Sequence, residues 1–401
     1  MRFISHLLPL AAFAATTVSA QSDNAFTTAL ANGKVSLNVR PRFEYVDQSN
    51  LAKDASALTV RTALGYTTAP LHGFKATFEA QNVASPDPDA YNQAGINAGG
   101  AGRPVVADPV GTEITQALLG YTNGPTSATV GRQMIVLDNA RFVGNVAWRQ
   151  NFQTFDAATL KFSPAENVAV TYAYVDRVNR IFGNKSAQGN WDSNSHLFNI
   201  STTAIDAGTL TGYVYLLDFD NAAANSSATY GVSFAGSTAV ADGVKLSYRA
   251  EYAVQGDHAD NPVAYDTDYT VVEVGAVFKP VTIAIGYEVL GADNGVGFKT
   301  PLATLHAFNG WADVFLATPG TGLEDIYLKV AAPLPAKFGF LGFYHDFSAA
   351  SGGADYGTEI DLQLTRPITK NLTGLVKFAA FEGKGARPDI DKFWVQLDFK
   401  Y

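Results

Sequence analysis

Basic side chains recur where their sequence neighbours are apolar. Arg40 and Arg42 alternate with Val39, Pro41 and Phe43, Arg61 follows Val60, and Lys245 and Arg249 alternate with Leu246 and Tyr248. Lys75, Arg177 and Lys377 sit in similar settings. A guanidinium stays charged, and its planar fork meets a carboxylate or phosphate with two parallel hydrogen bonds. A wall of such groups would select anions, most strongly where water is scarce. Glu44, Glu79, Glu251, Glu288, Glu359, Asp361 and Asp398 share the same parity, so the competing reading pairs each base with a wall carboxylate across neighbouring strands.

Other chemistries are poorly supported. Cysteine is absent, which excludes disulfides, thiol nucleophiles and zinc-thiolate sites. Asp257, Asp260, Asp266 and Asp268, with His258, could offer oxygens to calcium, but their spacing is not that of an EF-hand and a solvated loop is the preferred reading; no cofactor is expected. His345 and Asp346 are adjacent, so on a strand they point to opposite faces and form no dyad. The glycine-rich stretch 291–297 lacks the Lys-Ser/Thr of a phosphate-binding loop. An enzyme is not expected.

The elements that must position the bases are strands. Within 34–45, Val35, Leu37, Val39, Phe43 and Tyr45 fall on one parity and Ser36, Asn38, Arg40, Arg42 and Glu44 on the other. Period two means one dry face and one wet face. The pattern returns with Leu58, Val60, Leu64 and Tyr66; with Val168, Val170, Tyr172 and Tyr174 against Thr171 and Arg177; with Val244, Leu246, Tyr248 and Tyr252; and with Tyr356, Ile360, Leu362 and Leu364.

Composition says which face meets what. Of 401 residues, 47% are hydrophobic and 16% charged, against roughly 25% charged in a soluble domain. A water-facing charged shell therefore cannot cover this surface. Mean hydropathy is +0.02, too low for a helical membrane bundle. Residues 1–20 read as a secretory signal, with Arg2 before an apolar stretch and Val18-Ser19-Ala20 as a cleavage site. Its removal takes the net charge from −9 to −10, so nucleic acid is not an expected partner.

Short turns are expected at 68–73, 123–126, 163–167, 206–209, 236–243, 279–280, 332–337 and 366–371. Mostly longer loops fall between them, at 47–56, 84–112, 134–150, 178–194, 221–226, 256–266, 291–322, 348–354 and 383–391. This alternation predicts an all-β fold, a transmembrane antiparallel up-and-down β-barrel of about eighteen strands, with short periplasmic turns and long extracellular loops. Open edges in hydrocarbon would leave backbone groups unpaired, so the first strand must meet the last and 21–401 forms a single domain. The amphipathic final segment ends on Tyr401, similar to the signal read by the outer-membrane insertion machinery. So wide a barrel encloses water.

The segments Gly131-Arg132-Gln133, Leu137-Asp138-Asn139, Arg141-Phe142-Val143-Gly144-Asn145, Trp148-Arg149-Gln150-Asn151 and Gln153-Thr154-Phe155-Asp156 resemble the alginate-export porin family. So do 300–306, Phe308-Asn309-Gly310-Trp311-Ala312-Asp313 and Gly322-Leu323-Glu324-Asp325. The resemblance implies an 18-stranded outer-membrane barrel with an arginine-lined pore, conducting alginate in the best-known members. It adds Arg132, Arg141 and Arg149 to the expected pore residues Arg40, Arg42, Arg61, Arg177, Lys245 and Arg249. Arg132 shares parity with Val130 and reaches the lumen only across a bulge or beyond the membrane.

The reading is a passive outer-membrane channel for anionic sugar-acid polymers or small organic acids, alongside a weakly selective diffusion porin as the alternative. Membrane lipids surround it, and periplasmic export or uptake partners would set its direction. A closed barrel whose loops bind a partner is the competing class.

Overall fold

The computed structural model describes residues 20–401; the leader expected at 1–20 lies outside them apart from Ala20. A helix that the periodicity did not foretell, α1 (Ala20–Ala31), precedes the first strand at the rim of short turns. Ala69 N–H donates to its Ala29 carbonyl at 3.0 Å, and the Tyr66 hydroxyl donates to the Leu30 carbonyl. The Tyr66 ring lies where a Cβ on Gly33 would sit, 2.1 Å from its hydroxyl, so the chain can pass from helix to strand here only as glycine.

Eighteen strands follow: β1 (Lys34–Gln48), β2 (Ala55–Thr67), β3 (Phe74–Ala84), β4 (Gly111–Asn123), β5 (Thr126–Gln133), β6 (Thr154–Ala165), β7 (Val168–Asn179), β8 (Asn190–Ile205), β9 (Gly208–Leu217), β10 (Ser227–Ala241), β11 (Val244–Asp257), β12 (Asp266–Phe278), β13 (Val281–Leu290), β14 (Leu323–Leu334), β15 (Phe338–Ser348), β16 (Asp355–Pro367), β17 (Leu372–Gly383) and β18 (Ile390–Lys400). Each pairs antiparallel with its sequence neighbours. β1 closes the sheet on β18, from Asn38 opposite Lys400 to Gln48 opposite Ile390, so no edge is left unpaired. Turns and loops alternate between the two rims as expected. The turn expected at 236–243 shrinks to two residues, because Gly236 is a strand residue: the Ala207 carbonyl lies 2.0 Å from where its Cβ would be, and only hydrogen fits.

Exposed side chains on the outer parity are apolar, among them Leu58, Leu64, Val130, Phe198, Ile200, Val232, Ile285 and Ile360. Apolar burial happens inside the cylinder instead. Phe142 from the 134–153 loop packs on Tyr213, Tyr215 and Tyr269 of the wall and on Phe298 of the 291–322 loop, with ring centroids 5.1–6.1 Å apart. The two loops join through a parallel bridge between Val143 and Leu302. The 85–110 loop also turns inward, burying Tyr91, Val106 and Asp108.

Candidate functional site: the loop-filled lumen

The basic wall residues of β1 and β2 are on the inner face, yet they do not border open water. Arg40 donates from Nε to Gln150 Oε1 (2.9 Å), from Nη1 to the Ala147 carbonyl (2.9 Å) and from Nη2 to the Arg149 carbonyl. Arg42 donates to the Trp148 carbonyl (2.5 Å) and from Nε to Gln396 (2.9 Å), and its guanidinium lies 4.1 Å from the Trp148 ring centre. Arg61 donates to Gln81 (2.9 Å) and Asn38 (2.6 Å) and covers the Phe152 ring. All three are buried. Fork geometry suits a curved run of peptide carbonyls as well as a carboxylate, and these arginines clamp the 134–153 loop.

Arg149, carried by that loop, reaches back to Glu44 (3.0 Å), Asp108 (3.7 Å) and Asp313 (3.2 Å). Arg141 crosses to β13, where Nε donates to Glu288 (2.7 Å), and its Nη2 donates to Asn309 of the 291–322 loop (3.0 Å). Burial alone would lower the pKa of both guanidiniums, but Glu288 on one and Glu44, Asp108 and Asp313 on the other reverse that and hold each above the ordinary arginine range. Arg249 is half-buried beside Glu251, and Lys245 is exposed near the turn rim.

Arg132 and Arg177 depart from the expectation. Arg132 opposes Asp156, Asp156 opposes Arg177, and Arg177 opposes Asp192, forming one row on β5–β8. The adjacent row, Gln133, Phe155, Val178 and Trp191, is the one buried in the lumen. A bulge at Asp176 turns Arg177 outward, while no bulge brings Arg132 in. Arg132 instead grips both oxygens of Asp156, at 2.7 and 2.9 Å.

A second anchor holds the 291–322 loop. Trp311 N–H donates to Asp361 (3.1 Å), Ala312 N–H to Glu359 (2.6 Å), and Asn309 to Glu288 (2.7 Å) and Asp325 (3.1 Å). His345 Nδ1 lies 2.9 Å from Asp325. The loop also stacks His306 on Trp148, 4.4 Å apart and 5° from parallel. Lys377 Nζ lies 2.7 Å from His306 Nε2, and because an ammonium only donates, Nε2 accepts and the neutral ring donates from Nδ1 to Asp313 (2.7 Å). Burial, which pushes this imidazole well below its ordinary range, acts in the same direction.

Outside these contacts a cavity of about 610 Å³ opens among the three loops and β18, bordered by Arg103, Arg149, Lys392 and Asp313 with Leu305, Leu316 and Ile390 as its apolar side. His306, Asp313, Trp148 and Lys392 were not singled out in the sequence as site residues. The first three lie inside the segments that carry the family resemblance, which was the available signal. Among the described residues no group of three or more His, Asp or Glu side chains is arranged to hold a metal ion.

A family model described as alginate export matches residues 33–300. The chain belongs to the alginate-export family. Its barrel is similar to solved outer-membrane structures: Pseudomonas aeruginosa OccK9 (OpdG), at 12% identity and a TM-score of 0.75, covering 93% of this chain and 99% of that one; Acinetobacter baumannii OccAB3, at 12% and 0.72, covering 92% and 99%; and Pseudomonas aeruginosa OpdK, solved with vanillate, at 11% and 0.70, covering 92% and 98%. At such identity the likeness carries the fold. No curated protein matches the sequence. This alginate-export family member is an outer-membrane barrel of porin architecture, with the short turns on one rim and the long loops on the other.

Proposed function

We propose that this barrel is a passive channel for small organic acids rather than for a polyuronate chain. The observation that carries this reading is the vestibule: about 610 Å³ of space, bordered by Arg103, Arg149 and Lys392, above a lumen that three inward loops have filled. That volume lies within the range of pockets that enclose a single small molecule. A polymer would need the 134–153 and 291–322 loops displaced together, against the buried contacts of Arg40, Arg42, Arg141, Glu359 and Asp361. Arg40, Arg42, Arg61, Arg141 and Arg149 act in this reading by shaping the lumen and its positive potential. Arg249 and Lys245 extend that potential toward the periplasm.

Planar-bilayer recordings test it. Reversal potentials in a salt gradient should show anion preference, and liposomes should swell in isotonic small carboxylates but not in an oligouronate. Cation preference would overturn the reading, and equal permeation of neutral, cationic and anionic solutes would establish the weakly selective diffusion porin instead.

A further inference from the structure

Asp313 is a carboxylate already bound in the way a carboxylate solute would be. Its Oδ2 accepts from Lys392 Nζ at 2.8 Å and Arg149 Nη2 at 3.2 Å, and its Oδ1 accepts from His306 Nδ1 at 2.7 Å. The three donors come from β18, the 134–153 loop and the short helical turn Leu305–Ala307. Two are cationic and the third is the neutral imidazole whose other nitrogen is fixed by Lys377. Charge-assisted bonds from several directions to both oxygens are what recognition of a free carboxylate requires.

The position is also strained, and it borders the vestibule although the side chain itself is largely buried. Asp313 has φ +61°, in the left-handed region that costs an L side chain energy, so surrounding contacts must hold it there. Arg149, His306, Asp313 and Lys392 all border the vestibule, and beside them Leu305, Leu316 and Ile390 offer an apolar surface for the body of a solute. Arg149 keeps Glu44 at 3.0 Å when Asp313 leaves, whereas Lys392 has Asp313 as its ion-pair partner. A departing Asp313 therefore exposes a cation that an incoming anion can take.

We propose that Asp313 is a tethered carboxylate occupying the channel's own carboxylate site, and that a permeating small monocarboxylate binds to Arg149, His306 and Lys392 in its place. The inference rests on the small-organic-acid reading and specifies its site. Tethering gives Asp313 a high effective concentration, so it competes with solute continuously and keeps binding weak enough for release.

Sodium benzoate is the probe, read as concentration-dependent block of single-channel current. Asp313→Asn, which keeps the side-chain shape and loses the charge, should lower the benzoate concentration for half-block about tenfold and raise anion preference. Adding Lys392→Met to that variant should return half-block toward the wild-type concentration. Unchanged or weaker block in Asp313→Asn overturns the proposal. Lys392→Met alone, for the case where Asp313→Asn does not insert, should weaken block several-fold, and an unchanged value there overturns it equally. A wild-type channel that is neither anion-selective nor blocked would instead remove the small-acid reading itself, so the two failures are distinct.

Discussion

Two neighbouring sectors of the wall do the same work with opposite charge. β17, β18, β1 and β2 present Lys377, Lys392, Arg40, Arg42 and Arg61, and the first two β1 arginines hold the carbonyls of residues 147–149. β13–β16 present Glu288, Asp325, Glu359 and Asp361, and the last two hold the N–H groups of Trp311 and Ala312. A peptide unit is a dipole, so a buried cation can satisfy its oxygen end and a buried anion its hydrogen end. The sign of each sector therefore matches the end of the backbone it receives. Wall charge in this barrel is first a device for seating loops, and in the proposed reading selectivity rests on the charges that seating leaves on the vestibule together with the potential of the clamped arginines.

Arg141 joins the two sectors, since it rides on the loop held by the basic side and pairs with Glu288 on the acidic side. Removing one member of a buried pair costs roughly 3–5 kcal/mol, because the other charge is left without compensation. Arg141→Ala should show the largest effect of any single change discussed: cleavage by added protease within 134–153, higher single-channel conductance and a lower temperature for the unfolding shift in gel mobility. Protease resistance and conductance equal to the wild type would separate the loop from its anchor.

A smaller and more specific effect is expected from Arg40→Ala combined with Arg61→Ala. Each cation contributes on the order of 0.5 kcal/mol to an anion passing at a distance in partly aqueous surroundings, and 1.4 kcal/mol corresponds to a factor of ten. With about 1 kcal/mol of attraction lost for the anion and repulsion relieved for the cation, the anion-to-cation permeability ratio should fall by at least about fivefold. An unaltered reversal potential would mean that the clamped arginines do not influence the lumen, leaving that to the vestibule cations Arg103, Arg149 and Lys392.

How much of this was legible follows from periodicity. Alternation needs only the residue next door, so the strand parity of Arg40, Arg42, Arg61, Lys245 and Arg249 and the closed barrel could be read directly. A bulge inserts one residue and inverts every side chain beyond it. That is why Arg177, past Asp176, and Tyr356, the unpaired residue beside Gly357, point opposite to the simple count: Tyr356 is buried inside against Phe315. The loop contacts join residues more than a hundred positions apart, such as Arg149 with Glu44 and Asp313, and no local pattern encodes them. Trp148 and His306 are visible as residue types in a matching segment, but their stacking depends on two loops meeting inside the cylinder.

The outward row provides the control for the comparison, because it contains the same residue types without the loops. Arg132 and Arg177 are paired with Asp156 and Asp192, at 2.7 Å in each case, but they are partly solvent-accessible. Water and the polar boundary of the membrane screen such pairs, which contribute roughly 0–1 kcal/mol. Among the described residues the one backbone carbonyl that takes a hydrogen bond from either guanidinium is that of Ile114 in β4, 3.2 Å from Arg132 Nη1, and the buried row behind them is Gln133, Phe155, Val178 and Trp191. Arg132→Ala and Arg177→Ala, singly or together, should therefore leave reversal potential and benzoate block within error, with at most a small fall in the gel-shift temperature. If Arg177→Ala moved the reversal potential as far as the Arg40/Arg61 double change, side-chain direction would not be what decides which cations a solute senses, and the division between seated, vestibular and outward charges would have to be redrawn.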